Sequence, residues 1–415
     1  MSSLLVLLLL LACLPRAGFA QGESVETDDE KAKAVERALG ILRNVVGLDV
    51  DAYNWSIRAY GKSLFHDVLP MEFVGFDFWA YGNQLTAYVH FVDGKLQTVD
   101  MWVEKGVPKM LYTAVNEVEA AKGLLSRYQA YCGATHVEEL KAVLDTVEAK
   151  TNIKKFYGNV KFEAEYTKTV DLDYSPLDTA TFRWIYTFNG IEATEKWLGL
   201  FFRNGYFSGL IDKWNLFEIG SYDINVDEKK AIEIAVNAAK NYSTRVYMGN
   251  EIWVEVKNCK VVGAKVLGLM FGNGLWKDET RGDPLTLYPV WTIEVFFEDV
   301  YAGGVYGVYI NIWADTGEVW RIFPLTGPLG SLPSDIVPIE NGGNEGQENS
   351  ESQTGGSEKQ ESREPEPITP DDTSNNGAGL NVIHIALIAL PITIGMALAT
   401  VKVYSKWKSK SIKGS

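Results

Sequence analysis

The feature that most constrains this chain is a set of two-residue turns placed between alternating runs. "LTAYVHFV" meets "KLQTVDMWV" across Asp93-Gly94, and "FRWIYTF" runs into Asn189-Gly190. "WLGLFF" meets "YFSGLIDKW" across Asn204-Gly205, and "VWTIEVFFEDVY" meets "VYGVYINIW" across Gly303-Gly304. Such dipeptides accept the positive φ that a tight hairpin needs, so each junction joins two antiparallel strands. The alternation also sorts side chains into faces. Phe182, Trp184, Tyr186 and Phe188 point one way, Arg183 and Thr187 the other. Trp291, Ile293, Val295 and Phe297 oppose Thr292, Glu294 and Glu298. A sheet that is apolar on one side needs a cover.

Helical periodicity supplies the covers. "TDDEKAKAVERALGILRNVVG" opens with Thr27 and Glu30 at capping-box spacing. "TAVNEVEAAKGLLSRYQAYCG" and "ATHVEELKAVLDTVEAK" form a helical pair, the second opening with Thr135 and Glu138. "NVDEKKAIEIAVNAAKNYS" opens with Asn225 and Glu228 in a looser version of the same box. Each helical region precedes a run of strands. The expected fold class is therefore α+β: tandem units of a helix packed on an antiparallel β-sheet meander, plus one C-terminal transmembrane helix. The units are expected over 21–105, 106–222 and 223–338.

The two ends carry address signals. Residues 3 to 14 are an apolar run, with small residues at Gly18 and Ala20, so 1–20 reads as a signal peptide cleaved after Ala20. "LLAC", ending at Cys13, leaves a lipoprotein reading as the alternative. "VIHIALIALPITIGMALATV" has no Asp, Glu, Lys or Arg, and twenty residues span roughly 30 Å, the thickness of a bilayer core. Five lysines follow it, so a membrane helix over 380–401 leaves the tail 402–415 in the cytoplasm. Residues 339–379 are rich in Glu, Gly, Ser, Asn and Pro and lack aromatics, which reads as a disordered acidic stalk. The expected localisation is the cell membrane, single-pass, with the N-terminal ectodomain outside and the membrane as partner through the C-terminal helix.

The net charge of −15 disfavours nucleic acid and suits cations or basic partners. Two cysteines, Cys132 and Cys259, follow the signal peptide; they are either one disulfide or two separate buried thiols. Asn54-Trp55-Ser56 and Asn241-Tyr242-Ser243 are glycosylation sequons, with Asn54 and Asn241 as acceptors.

Asp315-Thr316-Gly317 matches the catalytic signature of aspartic proteases. Those enzymes need two such triplets, because two carboxylates share one proton. This chain has one, and the stalk begins about twenty residues later, too soon for the rest of a lobe. A turn between "VYINIW" and "VWRIF" explains every residue. Motifs of zinc peptidases, serine hydrolases and phosphate loops are absent, and His66, His90 and His136 sit in unrelated segments. Asp171, Asp173 and Asp178, and again Asp223, Asn225 and Asp227, lack the spacing of a calcium loop. Arg281-Gly282-Asp283 before Pro284 reads as a turn. Eleven tryptophans precede the stalk; exposed ones would suit sugar rings, but Trp184 and Trp291 fall on apolar faces and read as core. No catalytic residue, cofactor or metal is expected.

The helix "VDEKKAIEIAVNAA" followed by "VYINIWADTGEVWRI" resembles the PepSY domain, with Glu228, Ala231, Ile232 and Ala235 in matching places. The resemblance covers 223–323, and the two upstream units look like weaker relatives. It implies small helix-plus-sheet modules of exported proteins, without catalytic residues, that bind or regulate an extracytoplasmic partner such as a peptidase. The longer strand pair containing "EDVYAGG" departs from the pattern. A structural or adhesive envelope protein and an unrecognised extracellular hydrolase stand as alternatives.

Overall fold

The computed structural model describes residues 28–170, 176–248, 252–274, 280–327 and 336–339. The expected signal peptide, stalk core, membrane helix and basic tail lie outside them, as does Thr27. Among the described residues no helix is long and apolar enough to cross a membrane. The fold is α+β, mostly strand with few helices.

Helix α1 (Asp28–Ile41) places three acids in its first turn, where the helix dipole favours negative charge, and buries Ala34, Val35, Ala38 and Ile41. A four-strand meander follows: β1 (Asn54–Phe65), β2 (Leu69–Ala80), β3 (Asn83–Val92) and β4 (Lys95–Lys105). The β1–β2 hairpin has no Gly signal: His66 and Asp67 make its turn at φ 49° and 60°. Helix α2 (Glu117–Cys132) starts at Asn116, whose side chain accepts the Glu119 N–H at 2.9 Å. The short α3 (Val137–Val143) starts after His136, and Thr135 does not cap it with its side chain.

Next come β5 (Ile153–Tyr157), β6 (Val160–Val170), β7 (Pro176–Phe188), β8 (Ile191–Arg203), β9 (Tyr206–Asp212) and β10 (Glu218–Ile219). Helix α4 (Glu228–Lys240) is capped by Asp227, which accepts the Lys230 N–H at 2.8 Å, and not by Asn225. The chain continues through the β11 (Thr244–Tyr247) and β12 (Trp253–Val256) hairpin. It ends with β13 (Val261–Gly272), β14 (Thr286–Tyr301), β15 (Val305–Trp313), β16 (Val319–Thr326) and β17 (Val337–Pro338).

The hairpin dipeptides turn as their chemistry asks. Asp93-Gly94, Asn189-Gly190 and Asn204-Gly205 hold both residues at positive φ, between 50° and 79°. The main sheet runs β1-β2-β3-β4-β9-β8-β13-β14-β15-β16, with β7, β6 and β5 branching from β8. Neighbours are antiparallel except β8 with β13 and β10 with β14. Because β4 pairs with β9, the meanders of the first two segments are one surface.

One apolar core lies beneath α1, α2 and α3, from Ala34 to Leu210, with Trp184 and Phe182 fully buried in it. A second lies beneath α4, where Ala231, Ala235 and Ala239 let the helix sit close on Ile293, Val295, Ile310 and Ile312. A small cluster of Ile191, Ala193, Phe217, Phe271 and Leu287 fills the junction. Thr187 and Thr292, on strand faces expected to meet solvent, are buried as well. Cys132 and Cys259, weighed above as a disulfide, are free thiols: the first is exposed at the end of α2, the second buried in the α4 core.

Candidate functional site

Three polar constellations stand out. The first is the Asp-Thr-Gly turn. Gly317 adopts φ 79° and donates its N–H to Trp313 O at 2.7 Å, closing the turn. The Asp315 carboxylate, 8 % exposed, accepts from Arg281 Nη1 at 2.8 Å on both oxygens. Arg281 in turn lies 4.3 Å from the centre of the Tyr288 ring. Asn225 Nδ2 donates to Asp315 O at 2.8 Å, and the N–H groups of Asn225 and Val226 donate to Ala314 O. The turn therefore anchors the start of α4. Its carboxylate is consumed by a guanidinium, and the Arg281-Gly282-Asp283 arginine is consumed with it.

The second constellation surrounds Asp212, at the end of β9. Tyr128 Oη donates to Asp212 Oδ2 at 2.6 Å, and His136 Nε2 lies 3.0 Å from the same oxygen. The Trp214 N–H donates to Oδ1 at 2.9 Å. Asn215 Nδ2 donates to His136 Nδ1 at 2.9 Å, which leaves the ring proton on Nε2 facing Asp212. The His136 ring lies parallel to Trp214, 6.2 Å away. Cys132 is nearby, which invites a Cys-His-Asp reading. The electrostatics oppose it: burial first, then Asp212, push the Cys132 thiol up to about 11, so it stays protonated at neutral pH. Burial and Asp212 also push Tyr128 upward. This cluster ties α2 and α3 to β9.

The third constellation lies on the outer side of the β1–β9 sheet, away from the helices. Register aligns Gly75, Tyr88, Asp100, Gly209 and Phe201 in one row across β2, β3, β4, β9 and β8. The next row is Phe73, His90, Thr98, Ile211 and Gly199. Rings lie over glycines: a Cβ on Gly75 would meet the Tyr88 ring at 2.6 Å, and one on Gly199 the Trp197 ring at 2.5 Å. Asp100 is recessed among these rings, and burial alone pushes its carboxyl up to about 6. Burial likewise pushes His90 down to about 4; its ring stacks on Phe73, and its Nδ1 has no partner. Desolvated titratable groups without partners, on an accessible face, mark a candidate binding site.

The residues singled out in the sequence scatter over this frame. His90 belongs to the outer face, His136 to the Asp212 cluster, and His66 to the β1–β2 turn. Asn54 and Asn241 are both exposed, at the start of β1 and the end of α4. Asp178 pairs loosely with Lys168 at 3.8 Å; Asp171 and Asp173 lie outside the described residues. Among the described residues no group of three or more His, Cys, Asp or Glu is gathered as a metal would require. The sequence does not reveal Asp100 and Asp212 as site residues because their sites need pairings between residues more than seventy positions apart.

Comparison with protein-family models returns no match, and neither does comparison with curated proteins. Among solved structures the chain is similar to the Bacillus megaterium YpeB C-terminal domain, at 12 % identity, over 73 % of this chain and 99 % of that one, with a TM-score of 0.26. At that TM-score the likeness fixes neither fold nor function.

Proposed function

We propose that this chain is a non-catalytic binding protein of the cell surface. Its folded part is read as tandem PepSY-like α+β units over 21–105, 106–222 and 223–338. The segment 339–379 is its stalk, the helix at 380–401 its membrane anchor, and 402–415 its cytoplasmic tail. Its partner is an extracytoplasmic protein, a peptidase in the PepSY reading, and exposed Asn54 and Asn241 are its glycan acceptors. The observation that supports binding over catalysis is the contrast among the three constellations. Asp315 and Asp212 are occupied by internal partners, while Asp100 faces outward with its rings and no partner of its own.

The test uses the full chain. Peptide and glycoside panels are expected to be left intact, and a protein captured from membrane or secreted fractions is expected to be released by Trp102→Ala, which alters the outer face. Turnover abolished by one substitution overturns the reading, as does capture indifferent to the face.

A further inference from the structure

The surroundings of Asp100 say what it accepts. Tyr88 stands opposite it on β3, Trp102 lies two residues on along β4, and Phe201 reaches in across Gly209. Tyr88 and Trp102 meet edge to face at 5.9 Å, and Trp102 remains 45 % exposed. A Cβ at Gly209 would lie 3.3 Å from Phe201 Cδ2 and 3.6 Å from Asp100 Oδ1, so glycine keeps the floor open between ring and carboxylate. Aromatic faces attract cations, and a carboxylate beside them supplies the counter-charge.

Beside Asp100 the hydroxyls of the face are already engaged, which leaves the carboxylate, the rings and His90 Nδ1 as the groups a ligand can address. Thr98 Oγ1 donates to Gln97 at 2.8 Å, and Thr86 Oγ1 donates to Glu104 at 2.8 Å. Two cations border the face: Arg58, which meets the Tyr88 side chain but is paired with Asp77 at 2.7 Å, and Arg183, opposite Gly199 and 4.6 Å from the Trp197 ring centre. His90 is neutral above mildly acidic pH. The chain's charge of −15 draws cations in from a distance. The face itself is long. From Phe73 on β2 to Phe201 on β8 it crosses four strand spacings, roughly 19 Å, the reach of about six extended residues.

Resting on the binding reading above, we propose that this face takes an extended basic peptide, with one lysine ammonium seated on Asp100 between Tyr88, Trp102 and Phe201. The probe is tetralysine, capped at both ends, titrated calorimetrically into the full chain at low salt. Binding is expected to weaken about tenfold in Asp100→Asn and by a smaller factor in Trp102→Ala. It is expected to survive Asp299→Asn, an exposed acid on β14, and to vanish when the lysine side chains are acetylated. A melting curve on Asp100→Asn confirms that it folds. Failure of tetralysine to bind at millimolar concentration overturns the proposal. Equal binding to wild type and Asp100→Asn also overturns it, since that is attraction to an acidic surface at large. If the probe fails while a captured protein is still released by Trp102→Ala, the face binds some other chemistry and only the lysine assignment falls.

Discussion

Arg281 and Asp315, thirty-four residues apart, meet through one guanidinium nitrogen that reaches both carboxylate oxygens at 2.8 Å. The pair ties the Asp-Thr-Gly turn to the loop between β13 and β14, and the backbone of the same turn holds Asn225 and Val226. Asp315→Asn is expected to cost about 1–3 kcal/mol, since it removes a charge-assisted bond from a nearly buried group. Urea unfolding measures this. A variant that keeps full stability would mean the turn stands without the ion pair.

Asp100 and His90 give opposite pH signatures. The Asp100 carboxyl rises from its usual 3.8 to about 6 in the fold, so its ionised form costs stability. That cost is complete above pH 6, up to about 3 kcal/mol, and disappears below pH 4. Asp100→Asn is therefore expected to be the more stable protein at pH 7, with the advantage fading as pH falls to 4. His90 drops from 6.5 to about 4, so its cost is absent above pH 6.5 and complete below pH 4. His90→Gln is accordingly expected to match wild type at pH 7 and to exceed it in acid. Unfolding curves at pH 4, 5.5 and 7 compare the two variants. Parallel pH slopes in both would show that burial does not control these groups.

Cys132 is exposed yet expected to react slowly. Its thiol sits at about 11, raised by burial and by Asp212. Iodoacetamide labelling at pH 7 should be sluggish, and its rate should climb steadily towards alkaline pH. Asp212→Asn removes one cause of the shift and is expected to speed labelling at a given pH. Rapid labelling of the wild type at neutral pH would return the Cys-His-Asp reading to consideration.

Trp184 and Trp102 test the two faces of the sheet. Trp184 is fully buried against Phe162, with ring centres 5.1 Å apart. Trp184→Ala is expected to cost about 3–5 kcal/mol through the cavity it leaves. Trp102→Ala, on the open side, is expected to cost well under that, because much of its ring is already in water. Similar losses in the two variants would mean that the outer face is packed like a core.

What the sequence makes legible here is local. Asp93-Gly94, Asn189-Gly190 and Asn204-Gly205 act within four residues, and their turns are readable directly. The β1–β2 hairpin escaped because His66 and Asp67 do a task usually marked by glycine. Asn225 looked like a cap, but a neighbouring Asp227 serves, and Asn225 is drawn to the Asp315 carbonyl ninety residues away. Alternation places Asp100 and His90 on known sides of their strands. It cannot say that β9 lies beside β4, which is what surrounds Asp100 with Gly209 and Phe201. Nor can it bring Tyr128, His136 and Asp212 together, since each comes from a different element.

The parallel contact between β8 and β13 spans two residue pairs, Met270 with Glu192 and Phe271 with Ala193. Beside it β10 adds two more parallel pairs to β14, and the small cluster of Ile191, Ala193, Phe217, Phe271 and Leu287 fills the junction, so the two sides meet through a connection much narrower than either main core. Heating is therefore expected to melt the α4 side and the β1–β9 side as separate calorimetric peaks. If the two sides do melt apart, the seam acts as an internal fuse: loss of the α4 side is expected to leave the row from Gly75 to Phe201 in place, since β2, β3, β4, β9 and β8 all lie on the other side of it.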